Sequence, residues 1–554
     1  MIKNRESRKY LLAFLLFILI GFIVYGNSLS NGFIIDDHTV IESNDLIKDP
    51  ASFSRIYLRS YLCPAYYRPI VTHTFAIDYL IWKLNPLGYH LTNIFLHCLT
   101  AFLFFVFLNL LFRDFALSFI SSLLFMIHPI NNVSVNYLSD RGNILVVFFM
   151  LAALITFCMG YMQNKPRLYF FAALSFIISL FCRENAVLFP LYLLCTALVL
   201  RKEGRARDLR TAFIAAVLIS AINLAIRSKY FSFLGGGIFS FPDLLSMAGI
   251  NSFLYIITRY VSLIFWPRDI SFFYRFPQID QPWLLVLYIL PLVFCLAFLF
   301  PKFRRNGTIL FSLAWFLAGV IPLYTLMFGR RLIGLFVAQD SWIYFSSMGL
   351  FILLAYFLLS LKKIVNSKLW LILIFSILFS YAHNTFINNF LWKDGKTYCA
   401  YWLRQVPDNH FAHSFLSKHY VKSKEYKKAL YHINKMIDIF VDRGAEYTQL
   451  SSVYTQLADL FYKQGKEPEA IEYFNIASKI DPANATACFN LGTIYSNRNN
   501  DKEAILYYEK VLAVDPLHFG SNYNLAIIYS NMGEEAKALE RAEAALQVDP
   551  NCFK

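Results

Sequence analysis

The sequence predicts an all-α protein in two parts, a polytopic membrane helical bundle followed by a soluble α-solenoid. Residues 1–390 are mostly long apolar segments, whereas residues 409–549 carry a helical repeat pattern. In the second part Asp481-Pro482, Asp515-Pro516 and Asp549-Pro550 recur at 34-residue spacing, which is typical of stacked helix pairs. We therefore predict a membrane domain at 1–390, a linker at 391–408 and a repeat domain at 409–554.

The composition agrees with this division. The chain is 57% hydrophobic with a mean hydropathy of +0.48, and 16% of its residues are charged, against about 25% in soluble domains. The net charge is +15, but the basic residues cluster in short loops between apolar runs, which indicates membrane orientation and not nucleic-acid binding. The cysteines are scattered without a Cys-x-x-Cys pair, so we expect neither a zinc site nor a disulfide framework.

A membrane-spanning helix needs about 20 mostly apolar residues, and the first part contains about eleven candidates. They lie at 10–27, 91–112, 115–128, 143–162, 168–182, 185–200, 211–226, 282–300, 308–327, 345–361 and 368–386. The first candidate follows basic residues, as the core of a signal peptide would. Its long apolar run and the spans after it predict a retained anchor instead.

The basic loops predict the orientation, because loops rich in Lys and Arg face the cytoplasm. These loops alternate along the chain if residues 230–280 stay outside as one long loop. The apolar stretch 251–266 then lies along the interface or enters the membrane and returns; the alternative is that it spans. We prefer the first arrangement, which puts the N-terminus inside and the repeat domain in the periplasm or an equivalent lumen.

Polar residues that are unusual near a membrane fall in the predicted outside loops. They are Asp36, Asp37, His38, Arg68, His73, Asp78 and His90 in the first loop, His128, Asn131, Asn132, Asp140 and Arg141 in the second, and Arg183-Glu184 between two apolar segments. Ionisable groups so close to hydrocarbon are costly and usually functional. We therefore predict an extracytoplasmic active site where these loops converge.

The adjacent carboxylates Asp36 and Asp37 leave three interpretations open. Mutual repulsion and partial desolvation would raise one pKa and suit a general base. The pair could equally bind a divalent cation. It could also form a solvated turn that caps the next helix.

Four further strings narrow these interpretations. They are Tyr67-Arg68-Pro69, Gly88-Tyr89-His90, His128-Pro129-Ile130 followed by Asp140-Arg141, and Arg183-Glu184-Asn185. In their order and spacing, and with the repeats behind them, the chain resembles the transmembrane and tetratricopeptide-repeat-containing O-mannosyltransferases and their bacterial relatives. That family is part of the C-type glycosyltransferase superfamily, so the resemblance implies a GT-C-like membrane domain that uses a polyprenyl-phosphate-linked sugar.

The resemblance also implies roles for particular residues. An acidic residue of the first outside loop would be the catalytic base of an inverting transfer, with Asp36 as first choice and Asp37 in support. Arginines would hold the lipid phosphate, since a guanidinium fork matches phosphate oxygens. The arginine candidates are Arg68, Arg141 and Arg183, with Arg330 or Arg331 as later ones; His90, His128 and Glu184 are further substrate-site candidates. No residue is assigned as a metal ligand, and a divalent cation is the one cofactor left open.

Two strings depart from the family pattern. After the His-Pro pair the relatives usually have a glutamate, then Gly-Arg, then an acidic residue, where this chain has Val133, Asp140-Arg141 and Asn143. This departure counts against a metal or second-acid role for that loop. Before the repeats, residues 339–344 stand where the relatives have an acidic-Arg-Tyr string, and the match there is partial.

The period and small residues of the second part are typical of tetratricopeptide repeats. Asn490-Leu491-Gly492 and Asn524-Leu525-Ala526 mark equivalent positions of two units, and residues 409–440 form a degenerate first unit. About four units would present a concave face that holds an extended peptide. A dimerisation or scaffolding surface is the alternative interpretation.

These observations together predict a membrane glycosyltransferase. It would move a mannose-like sugar from a polyprenyl-phosphate donor to a hydroxyl acceptor outside the cytoplasm, with a protein Ser or Thr presented by the repeats as the expected acceptor. Two alternatives remain: a non-catalytic scaffold whose repeats recruit envelope proteins, and a transferase that acts on a lipid or glycan. The charged residues at the membrane edge favour an enzyme, because a scaffold would not need them.

Overall fold

The computed structural model of the chain describes residues 2–61, 66–200, 205–230, 247–270, 274–275, 306–328, 337–442, 447–549 and 552. These residues are predominantly helical and divide into two compact units, Met1–Tyr398 and Cys399–Lys554. The predicted all-α fold class is confirmed. One antiparallel pair of two-residue strands, β1 (Tyr274–Arg275) and β2 (Val337–Ala338), accompanies the helices of the described part.

Most of the described residues of the first unit form apolar helices. Its helices are α1 (Ile2–Tyr25), α2 (Asp45–Lys48), α3 (Pro69–Trp82), α4 (Pro86–Phe112), α5 (Phe115–Ile127), α6 (Asn132–Asn136), α7 (Arg141–Gln163), α8 (Pro166–Leu180), α9 (Phe189–Leu200), α10 (Ala206–Tyr230), α11 (Met247–Phe265), α12 (Gly307–Phe328), α13 (Ser347–Leu361) and α14 (Ser367–Asn389). The described residues of the first predicted outside loop, 29–90, therefore include α2, α3 and the start of α4.

Five helical segments of the described residues are long and apolar enough to cross a membrane. They are Ser7–Ser30, Pro86–Phe112, Leu138–Gln163, Ala206–Tyr230 and Ser367–Trp392. The pair Phe115–Ile127 and Pro129–Asn136, bent by 53°, makes a sixth if it counts as one span. The other predicted spans coincide with shorter apolar helices, except that 282–300 lies outside the described residues.

Local sequence signals explain several helix ends. The Asn85 side chain accepts a hydrogen bond from the Leu87 amide, and Pro86 occupies the first turn of α4, where its missing N–H costs nothing. The helix ends at Arg113, which adopts a left-handed conformation with φ of 54°. The bend after α5 occurs at Pro129, because the residue before a proline is driven out of the helical region.

The stretch 251–266, whose relation to the membrane the basic loops leave open, falls on α11. Near its end the Ile264 carbonyl accepts hydrogen bonds from His128 Nε2 at 3.1 Å and from the Tyr381 hydroxyl at 2.7 Å. Tyr260 donates to the Gln339 carbonyl at 3.0 Å. These bonds fix the end of α11 against the bundle, and its interfacial placement stays a prediction.

The described residues of the second unit form four antiparallel helix pairs. Its helices are α16 (His410–Lys422), α17 (Tyr426–Asp442), α18 (Tyr447–Lys463), α19 (Glu467–Ile480), α20 (Ala485–Asn497), α21 (Asp501–Val514), α22 (Phe519–Asn531) and α23 (Glu535–Val548). Small residues allow close packing: a Cβ at Gly492 would lie 2.7 Å from the Tyr508 ring. The predicted linker at 391–408 contains a further helix, α15 (Gly395–Gln405).

Candidate active site

The two adjacent carboxylates lie in the connection that follows α1, outside the spanning segment. A short 3-10 helix, Gly26–Ser30, leads into it, and Ile35 adopts a φ of 47° immediately before Asp36. An isoleucine in this left-handed region is strained, and such residues cluster at functional sites. The conformation turns the chain so that Asp36 and Asp37 meet the polar connection between α6 and α7.

Asp37 is fully buried and held from both sides. One carboxylate oxygen accepts hydrogen bonds from the Ser139 amide at 2.8 Å and the Ser139 hydroxyl at 2.5 Å, and the other accepts from the Ile34 amide at 3.1 Å. Burial raises the pKa of Asp37 to about 7, although these hydrogen bonds favour the charged form. We expected repulsion and desolvation together to raise one pKa of the pair. Desolvation is the larger cause for Asp37, and repulsion by Asp36 contributes least.

Asp36 is half-buried, whereas its neighbour Asp37 is fully buried. The Tyr137 hydroxyl donates a hydrogen bond of 2.6 Å to one of its oxygens. Burial raises the pKa of Asp36 above its usual 3.8, and the bond from Tyr137 partly offsets this shift. Of the two carboxyls Asp36 is the more accessible, and a partly desolvated carboxylate of this kind suits a general base.

Tyr61 connects these carboxylates to a cluster of arginines. Its hydroxyl donates to the Ser139 carbonyl at 3.0 Å, and the Arg68 guanidinium lies over its ring at 5.4 Å from the centroid. Arg68 forms a bidentate pair with Glu184, with its closest nitrogen–oxygen distance at 2.8 Å. A guanidinium held in this way has a fixed orientation.

Glu184 also pairs with Arg227, which the sequence interpretation missed. Arg227 Nη1 lies 3.3 Å from a Glu184 oxygen, and the side chain is 1% exposed. It stands in the last turn of α10, directly after the predicted span 211–226. The sequence does show an arginine at the end of an apolar helix, which is typical of an interfacial anchor. Only the fold, which places Arg227 beside Glu184, indicates a role in the site.

Arg183 pairs with Asp140 at 2.5 Å. The second Asp140 oxygen accepts from Asn143 Nδ2 at 2.6 Å and from the Ser134 hydroxyl at 3.3 Å. Asn143 therefore serves as a hydrogen-bond donor to the neighbouring Asp140 carboxylate.

Arg141 is enclosed and uses its guanidinium within the protein. It pairs with Asp78 at 2.6 Å and is 0% exposed. It also donates to Asn93 Oδ1 at 2.6 Å, the Thr74 hydroxyl at 3.2 Å and the Tyr89 carbonyl at 3.1 Å. These bonds occupy all three guanidinium nitrogens, so the structure favours a positioning role for Arg141 over contact with a donor phosphate.

The two candidate histidines are buried as well. His128 accepts from the Ile130 amide at 3.1 Å and donates to the Ile264 carbonyl at 3.1 Å, so both ring nitrogens serve the fold. His90 is 1% exposed and lies beside the backbone of Gly32 in the Asp36 connection. Arg330 and Arg331, the later candidates, lie outside the described residues.

The partly matching string before the repeats lies next to this site. Asp340 is fully buried and 3.3 Å from an Arg259 nitrogen, and the Ser341 carbonyl accepts from Asn143 Nδ2 at 3.2 Å. Tyr344 hydrogen-bonds His97 at 2.6 Å inside the bundle. Residues 339–344 therefore pack against the segment that carries Asp140 and Asn143.

A cavity of about 220 Å³ lies beside the Asp36 connection. Its lining residues are Thr39, Ser43, Asn44, Asp45, Leu46, Ile56, Arg59, Ser60, Tyr61 and Thr72. Most of them are polar, so the space suits a ligand that carries hydroxyl groups. Among the residues that the structure describes, no three His, Cys, Asp or Glu side chains converge as a metal-ligand set.

Comparison with family models identifies the second unit. Tetratricopeptide-repeat models match residues 458–499, 485–518 and 507–540. The predicted repeat type is confirmed for these residues. The overlapping matches also agree with the helix pairs that the structure shows there.

Comparison with curated proteins finds relatives that are named protein O-mannosyl-transferases. F38B6.6 of Caenorhabditis elegans is 33% identical over 26% of this chain and 22% of its own length. TMTC3 of Homo sapiens is 31% identical over 24% of this chain and 15% of its own. Tmtc1 of Drosophila melanogaster is 22% identical over 46% of this chain and 33% of its own. The predicted resemblance is confirmed, and the matches span a third or less of each relative's length.

Proposed function

We propose that this chain is a membrane glycosyltransferase that moves a mannose-like sugar from a polyprenyl-phosphate donor to a hydroxyl acceptor outside the cytoplasm. The observation that carries this proposal is the Asp36 carboxylate, which is half-buried, has a raised pKa and receives a hydrogen bond from Tyr137. An arginine cluster stands nearby across Tyr61. The names of the relatives support the reaction class.

Each group has a defined part in the proposed displacement. Asp36 accepts the proton of the acceptor hydroxyl as its oxygen attacks the anomeric carbon of the sugar. The bond from that carbon to the phosphate oxygen breaks on the opposite face, so the configuration inverts. The negative charge on the departing lipid phosphate is then stabilised by guanidinium groups.

Among the candidate arginines, we assign the donor phosphate to Arg68 and Arg183. Each is 8% exposed and engaged mainly by one carboxylate, whereas Arg141 is completely enclosed. Glu184 orients Arg68 and Arg227 toward the same region. The acceptor hydroxyl would occupy the cavity beside Thr39, whose amide is bonded to the Asp36 carbonyl.

Asp37 supports the base through the backbone. Asp37 accepts a hydrogen bond from the Ser139 hydroxyl, and Asp36 accepts one from the Tyr137 hydroxyl. The two adjacent carboxylates are thus bonded to alternate residues of one segment. This arrangement fixes the Asp36 carboxylate relative to its hydrogen-bond donor. We propose further that the repeats lie outside the cytoplasm and present a protein Ser or Thr to the cavity.

The deciding experiment measures sugar transfer by the purified full-length protein from a polyprenyl-phosphate-mannose donor. Asp36→Asn keeps the size of the side chain but removes the base, and we expect a fall of about 10²–10⁴-fold in rate. Glu42→Gln is the matched control, because Glu42 lies on the same connection with its side chain 42% exposed and does not line the cavity, and its rate should be parental.

The pH dependence of the rate provides a second readout. Asp36 must be deprotonated to act, so the rate falls as the pH drops through its raised pKa. The acid limb of the profile should therefore have its midpoint above 3.8, the usual value for an aspartate. Parental transfer by an inserted Asp36→Asn protein would place the base elsewhere. No turnover of any polyprenyl-linked sugar by the parental protein would instead favour the scaffold.

A further inference from the structure

The end of the last apolar helix before the repeats makes a concentrated set of contacts with the Asp36 connection. Asn389, the final residue of α14, is fully buried. Its Nδ2 donates to the Val24 carbonyl at 2.9 Å and to Asn27 Oδ1 at 2.7 Å. These two bonds attach the end of α14 to the end of α1, just before the chain turns toward Asp36.

The same side chain also holds α6. Asn389 Oδ1 accepts from Asn132 Nδ2 at 2.7 Å and from Asn136 Nδ2 at 2.9 Å. Both donors and both acceptor positions of the amide are thus in use, and the bonds join three segments of the chain. Asn136 is the residue before Tyr137, which is the hydrogen-bond donor to Asp36.

Two backbone carbonyls extend these contacts along the connection itself. The Asn389 carbonyl accepts from Asn31 Nδ2 at 3.2 Å, and the Lys393 carbonyl accepts from the Gly32 amide at 2.9 Å. The chain is therefore fixed at two successive residues a few positions before Asp36. Movement of residues 389–393 would displace the connection directly.

Trp392 completes the set by contacting the partner of Asp36. It is 4% exposed and stacks on the Tyr137 ring, with centroids 5.9 Å apart and planes inclined by 29°. Residues 389–393, which we call the brace, thus contact the Asp36 connection on one side and Tyr137 on the other. Because Tyr137 Oη and the Asp36 carboxylate are 2.6 Å apart, small displacements of either would disturb their bond.

We infer that the brace is a positioning element for the reaction, and that it sets the geometry between Tyr137 and Asp36. The inference rests on the proposed function of Asp36 as the base. None of the brace residues touches the reacting atoms in this scheme. Their effect on the rate passes through the distance between the Tyr137 hydroxyl and the Asp36 carboxylate.

A positioning role predicts a signed change in the pH profile. The hydrogen bond from Tyr137 stabilises the charged form of Asp36 and so lowers its pKa against the effect of burial. If the brace is loosened, this bond weakens and the pKa of Asp36 rises further. The acid limb of the rate profile then moves to higher pH, while donor binding at the arginine cluster is unchanged.

The test uses the full-length protein with Trp392→Leu, which removes the stacked ring but keeps an apolar side chain. We expect kcat to fall about tenfold or more, the acid limb to move to higher pH, and KM for the donor to stay parental. Trp392→Phe should restore most of the profile. Trp370→Leu is the matched control, since Trp370 is also buried but lies near the start of α14 and bonds the Leu358 carbonyl. This variant should lose stability without shifting the acid limb of the pH profile.

A second set of variants keeps the inference falsifiable. If Trp392→Leu does not accumulate, Asn31→Ser removes the single bond to the Asn389 carbonyl and should move the limb in the same direction by a smaller amount. Tyr137→Phe combined with Trp392→Leu should be no worse than Tyr137→Phe alone, because both act on one bond. A parental profile in these variants, with Asp36→Asn inactive, overturns the brace alone; an active Asp36→Asn overturns the proposed function first.

Discussion

In the membrane unit, Arg141 and Asp78 pair with 0% and 4% of their side chains exposed, whereas in the repeat unit Arg498 and Glu467 pair with 44% and 38% exposed. The contrast extends beyond these two pairs. Arg68–Glu184 and Arg183–Asp140 are almost entirely buried, and Lys428–Glu425 is largely exposed. These three ion pairs of the membrane unit are enclosed by protein, and the two pairs of the repeat unit face water.

This difference indicates what the charges do. Removing one partner of a buried ion pair costs about 3–5 kcal/mol, because the other charge stays buried, while an exposed pair contributes about 0–1 kcal/mol. A buried charged side chain of the membrane unit is therefore expected either to maintain the fold or to bind substrate. In the repeat unit an exposed ion pair is expected to contribute little to stability.

The largest expected effect belongs to the most enclosed pair. Arg141→Met leaves Asp78 buried without its partner and should reduce the free energy of unfolding by about 3–5 kcal/mol. Adding Asp78→Leu should recover much of that loss, since an apolar pair avoids the desolvation penalty. Thermal unfolding of the detergent-solubilised protein measures both. If the single variant were as stable as the parent, Arg141 would have no role in the fold.

A smaller effect should separate arginines that bind substrate from those that build the bundle. Arg68→Lys and Arg183→Lys keep the charge but lose the guanidinium fork, so donor affinity should weaken about tenfold, near the value of one charged hydrogen bond. Arg167→Lys, at an exposed position of α8, is the control and should bind donor normally. Isothermal titration with a donor analogue measures the affinities. Parental affinity in both test variants would move the phosphate to another site.

The smallest effects are expected in the repeats. Asn484 caps α20 by accepting from the Ala487 amide at 3.0 Å, and it donates to Ser451 and Thr455 of α18 at 2.7 and 2.9 Å. Asn484→Ala should destabilise these helices by about 1–2 kcal/mol, whereas Arg498→Ala should change little. Hydrogen exchange in the full-length protein reads both, and donor turnover should stay parental in each. Equal protection of the backbone amides in the two variants would contradict the expectation that the helix cap contributes more stability than the exposed ion pair.

Much of the fold follows from local patterns. Apolar length predicts α4, α7 and α14, because a spanning helix must satisfy its own backbone and present apolar side chains. The 34-residue period likewise predicts the helix pairs of the second unit. The ends of the shorter apolar helices are harder to predict, since α8 and α13 are bounded by turns whose geometry depends on their neighbours.

The candidate site could be predicted only in outline. Two adjacent carboxylates after the first span drew attention to Asp36, and the structure gives it a partner in Tyr137, about a hundred positions along the chain. No local sequence pattern around Tyr137 predicts that hydrogen bond. Asn389 is similar, because an asparagine at the end of an apolar helix has the appearance of a simple cap until the fold brings three segments to it. Arg141 shows the reverse: its type suggested substrate binding, and its burial suggests structure.

Ile35 has a consequence for the range of shapes that the Asp36 connection can visit. A β-branched residue at φ of 47° is held about 1–2 kcal/mol above its preferred conformations. Glycine would adopt the same angle freely, but it would also open many other backbone paths. The strain costs some folding free energy, but it restricts the connection to a narrow set of conformations. In these conformations the Asp36 carboxylate faces the Tyr137 hydroxyl for a larger share of the time. Sequences that place glycine at this position should show a faster, broader loop and a base that is less often aligned.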